Sequence, residues 1–299
     1  MINGINVYKK FENKVALDNI TFEIEEGSIY GLVGSNGSGK STLLRLITGV
    51  YKTDGGDICV DGISVFDNPI IKSQIAFLGD TPYFLPQSNL SEMARFYASL
   101  YPDFSYEEYN RLLYIFPLNP KARLSTFSKG MQRQASLILL LATKPRYILL
   151  DEAFDGLDVV MRKVLGNILM DGVEKSGITA IIASHNLREL ESLCDHVALI
   201  HEGKMVMDGS IEGIRENIHK IQVAFSAVPE TAIFDKLDVI KLERTGSLVQ
   251  IVARGKEKEI LDYINSLCPL FAECIEPTLE EMFVYELEVT GYDVKNILK

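Results

Sequence analysis

A chain of 299 residues, 47% of them hydrophobic, with a mean hydropathy of +0.10, holds enough apolar material for one large domain or two smaller ones. Thirty basic against 41 acidic residues leave a formal charge of -11, so the overall field repels a phosphate backbone and nucleic acid is not an expected partner, a local basic patch aside. The apolar runs LILLLA at 137–142 and ITAIIA at 178–183 fall far short of the roughly 18 residues a membrane span needs. The opening MINGINVYKKFENK has no apolar signal core, and Cys59, Cys194, Cys268 and Cys274 are too scattered for a CxxC pair, which together predict a soluble chain with reduced thiols.

From residue 1 to about 212, β-type runs alternate with helical patterns, which predicts an α/β fold with a mainly parallel sheet. In VALDNITFEIEEGSIYGLVG the segment ITFEI alternates as a half-buried strand does, and SIYGLVG is continuous enough for a buried one. GSNGSGKST at 34–42 follows, and STLLRLITGV turns helical. Residues 81–145 carry aromatics and acids but no strand-like run, which predicts an inserted helical subdomain. YILLD at 147–151 and ITAIIASH at 178–185 are two more buried-strand candidates. Past residue 213, KIQVAFSA, LDVIKLERTG, SLVQIVARG and FAECIEP read as strands and KEKEILDYINSLC as a helix, an accessory α+β domain over 213–299. The ending TLEEMFVYELEVTGYDVKNILK is helical for part of its length.

GSNGSGKST fits the phosphate-loop pattern GxxxxGK[ST] in the context that pattern requires, after a strand and before a helix. Gly34, Gly37 and Gly39 let the backbone turn its N–H groups onto phosphate oxygens at a helix N-terminus, with Ser35, Asn36, Ser38 and Thr42 in the same cradle. Lys40 would reach the β and γ phosphates, and the Ser41 hydroxyl would ligate Mg²⁺. The loop by itself specifies a nucleotide and no particular reaction. Asp151 ends an apolar strand, where its carboxylate can hold the Mg²⁺ hydration shell. Glu152 is then placed to polarise a water for attack on the γ-phosphate, the requirement of a hydrolase rather than a kinase. The other reading of this pair is a strand ending at the surface.

With GSNGSGKST, FSKGMQ, YILLDEAFDGLD and IIASHNLRELESLCDHVALIHEGKMVMDGS in that order, residues 1–212 resemble the ATP-binding cassette (ABC) ATPases. The resemblance implies two cassettes packed head to tail, ATP on one phosphate loop being closed over by the signature stretch of the other. FSKGMQ resembles that stretch, so Ser128 and Gly130, flanked by Lys129, Met131 and Gln132, would serve the γ-phosphate of a partner subunit. Ser128 also reads as the N-cap of the helix KGMQRQASLILLLA, and the two readings are compatible. Phe11 resembles the aromatic that stacks on adenine, with Tyr8 as a neighbouring candidate and a core aromatic as the other reading. His185 is similar to the switch histidine at the γ-phosphate, and Asp158 to the residue that links the two sites.

Two positions depart from the family pattern. Asp80 in IAFLGDTPYF aligns where glutamine is usual, which adds negative charge beside the phosphates and puts metal coordination there in question. Lys129 stands where glycine is common, a substitution that resembles the ABC-2 type export branch, as do YASLYPDFSYEEYNRLL and PTLEEMFVYEL. The resemblance therefore implies an ATP- and Mg²⁺-dependent subunit that dimerises and drives a separately encoded permease as an exporter, peripheral on the inner face of the cell membrane. The alternative is a soluble cassette ATPase with an assembly or regulatory role; a P-loop kinase would leave the signature stretch and His185 idle. For residues 213–299, a regulatory or dimer-stabilising role and a plain packing extension both stay open.

Overall fold

The computed structural model describes residues 1–226 and 230–289. Two compact units divide the chain, Met1–Asn186 with Ile200–Met205 in one and Leu187–Leu199 with the chain from Val206 onward in the other. The division does not follow the boundary expected at residue 212. Contacts rather than sequence order define it, and the chain leaves the first unit after Asn186 and re-enters it only for the turn at 200–205.

The first unit runs β1 (Ile2–Phe11), β2 (Lys14–Ile24), β3 (Ile29–Val33), α1 (Lys40–Ile47), β4 (Gly55–Val60), β5 (Ile63–Ser64), α2 (Pro69–Lys72) and β6 (Ile75–Leu78). It continues through α3 (Leu90–Leu100), α4 (Tyr106–Ile115), α5 (Lys129–Ala142), β7 (Tyr147–Asp151), α6 (Val159–Ser176) and β8 (Thr179–Ser184). Strands β6, β7, β8 and β3 lie side by side in that order, all parallel, with Leu78 opposite Leu150, Asp151 opposite Ala183 and Val33 opposite Ser184. Every residue of β3, β7 and β8 is buried, as a parallel sheet covered on both faces requires. Each Ile or Leu so buried contributes about 1.5–3 kcal/mol.

A second sheet, β2-β1-β4-β5, is antiparallel. In β2, Ile20, Phe22 and Ile24 point inward while Thr21 and Glu23 face out, the alternation expected of ITFEI. Between β6 and β7 the named elements are helices, as expected for residues 81–145. Asn89 and Glu92 form a reciprocal capping box on α3 and Ser105 caps α4. Ser128 caps α5, accepting from the Met131 N–H at 3.2 Å.

The second unit holds α7 (Leu187–Glu191), most of β9 (His196–His201) and β10 (Lys204–Ser210), then α8 (Ile211–Asn217), β11 (Ile218–Ala224), β12 (Asp238–Thr245), β13 (Leu248–Arg254), α9 (Glu257–Ser266), β14 (Phe271–Ile275) and α10 (Leu279–Val289). Its antiparallel sheet has the order β12-β13-β11-β14. Ile221 and Val223 from one face of β11, with Phe225 just after it, pack with Val249 and Ile251 of β13 and with Ile260 and Ile264 of α9. These are the accessory strands and helix expected from the sequence, and α10 accounts for the start of the helical ending. Residues 290–299 of that ending lie outside the described residues.

Candidate active site

The loop from Gly34 to Gly39 joins β3 to α1. Gly37 (φ 80°) and Gly39 (φ 121°) take backbone conformations that side chains disfavour. A Cβ on Gly39 would stand 2.7 Å from Leu17 Cδ2 and 2.8 Å from the Ala16 carbonyl oxygen, so the missing side chain is what lets the loop lie on β2. Lys40 folds back under the loop, its Nζ donating to the carbonyls of Gly34 at 2.6 Å and Ser35 at 3.2 Å. Burial lowers its pKa, against the opposing pull of Glu152 and Asp151.

At the end of β7, Asp151 is fully buried. Its Oδ1 accepts from the Ser41 hydroxyl at 3.1 Å, while its Oδ2 is buried without a hydrogen-bond partner. Burial pushes this carboxyl above its usual range. An unpartnered buried carboxylate oxygen beside a hydroxyl is a costly arrangement in isolation. The all-oxygen set fits a hard divalent cation such as Mg²⁺, which keeps most of its waters and takes few protein ligands.

Glu152 has φ 51°, an uncommon conformation for a residue with a side chain. Its N–H donates to the Ala183 carbonyl at 2.9 Å. Its Oε2 lies 2.9 Å from His185 Nδ1, and its Oε1 lies 3.7 Å from Lys40 Nζ. The carboxylate is thereby held between a cation and an imidazole in the lining of an open pocket of about 540 Å³. Phe11, Gly37, Lys40, Asp80, Asp155 and His185 are among the residues that line it.

Phe11 is 39% exposed and meets Tyr51 edge-on at 5.2 Å between ring centres, which makes it an accessible ring and not a core one. Tyr8 sits opposite Gly55 on the β1–β4 pairing and is not among the lining residues. Asn36, Ser38, Ser41 and Thr42 also border the pocket, and Ser35 contributes its carbonyl to Lys40. By contrast, Ser128, Lys129, Gly130, Met131 and Gln132 do not border it, and Ser128, Lys129 and Met131 are exposed at the start of α5. Asp158 is likewise outside it; its carboxylate caps α6 through the Met161 N–H at 2.9 Å.

Two residues escaped the sequence reading. Asp155 lines the pocket and places a carboxylate oxygen within 4.8 Å of ligand atoms of Glu152 and His185. Arg133 is buried in α5 and donates from Nη1 to the Glu152 carbonyl and to the Asp155 carbonyl at 2.9 Å. Its Nη2 donates to the Asp80 carbonyl, with Asp80 Oδ1 3.4 Å away. One guanidinium thus ties two pocket segments, the turn at Glu152–Asp155 and the loop at Asp80, to the helix that begins with the signature stretch. A lone arginine two residues ahead of the apolar run ASLILLLA was its only trace in the sequence.

Close packing at that helix carries a prediction. A Cβ on Gly130 would lie 2.5 Å from the Gly156 carbonyl oxygen, so Gly130→Ala must push α5 off the turn that follows Glu152. We expect a loss of about 1–3 kcal/mol in stability by urea unfolding. An unchanged midpoint would contradict the close approach.

The parallel sheet, the glycine loop that feeds a helix, and the acid pair at the neighbouring strand's end define a nucleotide hydrolase of the P-loop class. Residues 17–155 match the family model described as ABC transporter. The chain is 28% identical to the ABC transporter ATP-binding protein YtrB of Bacillus subtilis over 95% of its own length and 97% of that protein. It is 31% identical to an uncharacterized ABC transporter ATP-binding protein, MJ1023, of Methanocaldococcus jannaschii, over 70% of this chain and 77% of the other. Among solved structures, an ATP-binding subunit of an ABC transporter superposes with a TM-score of 0.67 at 27% identity, over 72% of this chain and 92% of that one. A dimeric, post-hydrolysis form of the cassette MJ0796 bound to ADP and Pi shares the fold, with a TM-score of 0.64 at 23% identity over 71% and 99% of the two chains. The chain belongs to the ABC transporter family, as an ATP-binding and ATP-hydrolysing subunit of a transporter.

Proposed function

We propose that this ATPase works as a dimer on a separately encoded membrane permease and drives export, at the inner face of the cell membrane. The observation that carries the dimer is the separation within one chain: a pocket holding Lys40, Glu152 and His185, and an exposed helix N-terminus at Ser128 and Gly130 that does not border it. A γ-phosphate in the pocket of one subunit would receive the Ser128 hydroxyl and the α5 N-terminal N–H groups of a second. Closure gains those contacts only while the γ-phosphate is present, so ATP shifts an open-to-closed equilibrium by differential binding.

In the closed state the loop N–H groups and Lys40 hold the phosphates and Phe11 stacks on the adenine. Ser41 and, through water, Asp151 would hold Mg²⁺, which supplies charge neutralisation for the transferring phosphoryl group. Glu152 takes the proton of the attacking water, with His185 orienting its carboxylate and reaching the γ-phosphate. Asp158 would carry the state of one site to the other.

Asp80 has a tie to Arg133 and an exposed carboxylate, which supports a positioning role rather than a ligand role. Asp80→Gln should therefore hydrolyse Mg·ATP within a few fold of the parent, measured by phosphate release. A sharply raised Mg²⁺ requirement would make Asp80 a metal ligand after all.

Export rests on the resemblance of SKGM and of the flanking stretches to the ABC-2 type branch. The absence of any helix long and apolar enough to cross a membrane among the described residues is compatible with a separate permease. Affinity purification of tagged Glu152→Gln from its own cells, with ATP and mild detergent, tests the reading. A stoichiometric polytopic membrane protein supports it; soluble partners alone would favour an assembly or regulatory ATPase.

A further inference from the structure

The second unit contains a side-chain cluster with no part in nucleotide chemistry. On β11 the inward positions Ile221 and Val223, with Phe225 just beyond the strand, build its apolar core, and the next position on the same face, two residues before Ile221, is His219. His219 is buried, pairs across the sheet with Ala253, and is followed on the neighbouring strand by Cys274, which pairs with Ile221. Glu257, in the first turn of α9, closes the third side. One ligand atom from each of His219, Glu257 and Cys274 lies within 4.8 Å of the other two.

We infer that His219, Cys274 and Glu257 form a binding site for a borderline transition-metal ion of the Zn²⁺ class, with water as the fourth ligand. The choice of ion follows from the donors. Nitrogen, sulfur and a single carboxylate oxygen suit Zn²⁺ and its neighbours and do not suit Mg²⁺ or Ca²⁺, which take oxygen sets. Tetrahedral ligands at about 2.0–2.3 Å from an ion stand roughly 3.3–3.8 Å apart. Ligand atoms within 4.8 Å of one another need only small side-chain movements to reach that spacing, and the Glu257 side chain is exposed.

The histidine is prepared for this role by its second contact. Nε2 lies 3.1 Å from the Glu216 carbonyl oxygen, an acceptor only, so the proton belongs on Nε2 and Nδ1 carries the lone pair. An imidazole whose other N–H is fixed on a carbonyl is the usual setting of a metal ligand. Burial and then the Glu257 charge raise the Cys274 thiol to about 11, so the metal-free site is a thiol. On binding, the S–H proton leaves to solvent and the S–metal bond replaces it. Three ligands from β11, β14 and α9 would pin the helix to the sheet at the open end of its core.

Co²⁺ titration of the full chain tests the site, because a cobalt–thiolate bond gives a charge-transfer band that oxygen and nitrogen ligands do not. One Co²⁺ per chain with that band is expected, displaced by Zn²⁺ but not by excess Mg²⁺. Cys274→Ser should abolish the band, and His219→Gln should weaken binding by about 10-fold or more. The nucleotide pocket offers Glu152, Asp155 and His185 but no thiol, so cobalt held there is silent in this assay. Absence of the band, or a band that survives Cys274→Ser, overturns the inference. A circular-dichroism spectrum and urea-unfolding profile of Cys274→Ser that match those of the parent show that a lost band is not lost folding of the second unit, and either result leaves the proposed transport role untouched.

Discussion

Glu152→Gln is expected to bind ATP about as well as the parent while its steady-state hydrolysis falls by roughly 10²–10⁴-fold, the range for loss of a positioned general base. Glutamine preserves the size and one acceptor oxygen for His185, so the pocket keeps its shape. It loses the basic carboxylate and with it the group that removes a proton from water. The substitution also takes a negative charge away from the phosphate site, which favours nucleotide binding if it changes it at all. Phosphate release measured beside nucleotide binding separates the two effects. Equal hydrolysis by mutant and parent would take the base role away from Glu152 and leave Asp155, the other carboxylate bordering the pocket near His185, as the next candidate. His185→Ala should show a smaller loss, because it orients the carboxylate without replacing it.

Arg133→Leu is expected to cost about 3 kcal/mol of stability and to depress hydrolysis together with it. The substitution leaves the carbonyls of Glu152, Asp155 and Asp80 without their common donor; Glu152 keeps the Asp155 N–H, and a part-buried carbonyl left unpaired costs about 1–3 kcal/mol. Water can reach some of them from the pocket side, which is why the full sum is not expected. The ion pair with Asp80 adds little, since that carboxylate is 65% exposed. Arg133→Lys should recover only part of the loss, because an ammonium cannot present the two-sided fork that reaches three carbonyls on two segments. Denaturant midpoints and phosphate release on the same variants would show stability and activity falling in parallel. A fully active Arg133→Leu protein of parent stability would remove Arg133 from the framework of the site.

Glu152 and Arg133 differ in how the chain marks them. Glu152 was legible in the chain because YILLDE ends an apolar strand in two adjacent acids, in a chain that also carries a phosphate loop. Arg133 was not, because its partners are backbone carbonyls 19, 22 and 53 residues away, and a carbonyl carries no mark in sequence. The same distinction runs through the fold. ITFEI, SIYGLVG, YILLD and the helix around KEKEILDYINSLC could be read from periodicity, since period-2 and period-3.6 burial are local consequences of backbone geometry. The pairing of β1 with β4 could not, because it joins residues some 50 positions apart, Ile2 with Val60 and Tyr8 with Gly55.

The chain by itself therefore determined the phosphate loop, the acid pair, the buried strands that carry them and the family resemblance, all of which depend on residues close together in sequence. Tertiary structure alone decided that Phe11 borders the pocket and Tyr8 does not, and that Asp80 is tied to Arg133. It also decided that the signature residues stand clear of their own chain's site, and that His219, Glu257 and Cys274 converge. The reason is physical: a motif encodes the backbone conformation of its own few residues, whereas proximity between distant segments is set by how the sheets and helices bury their apolar faces against one another.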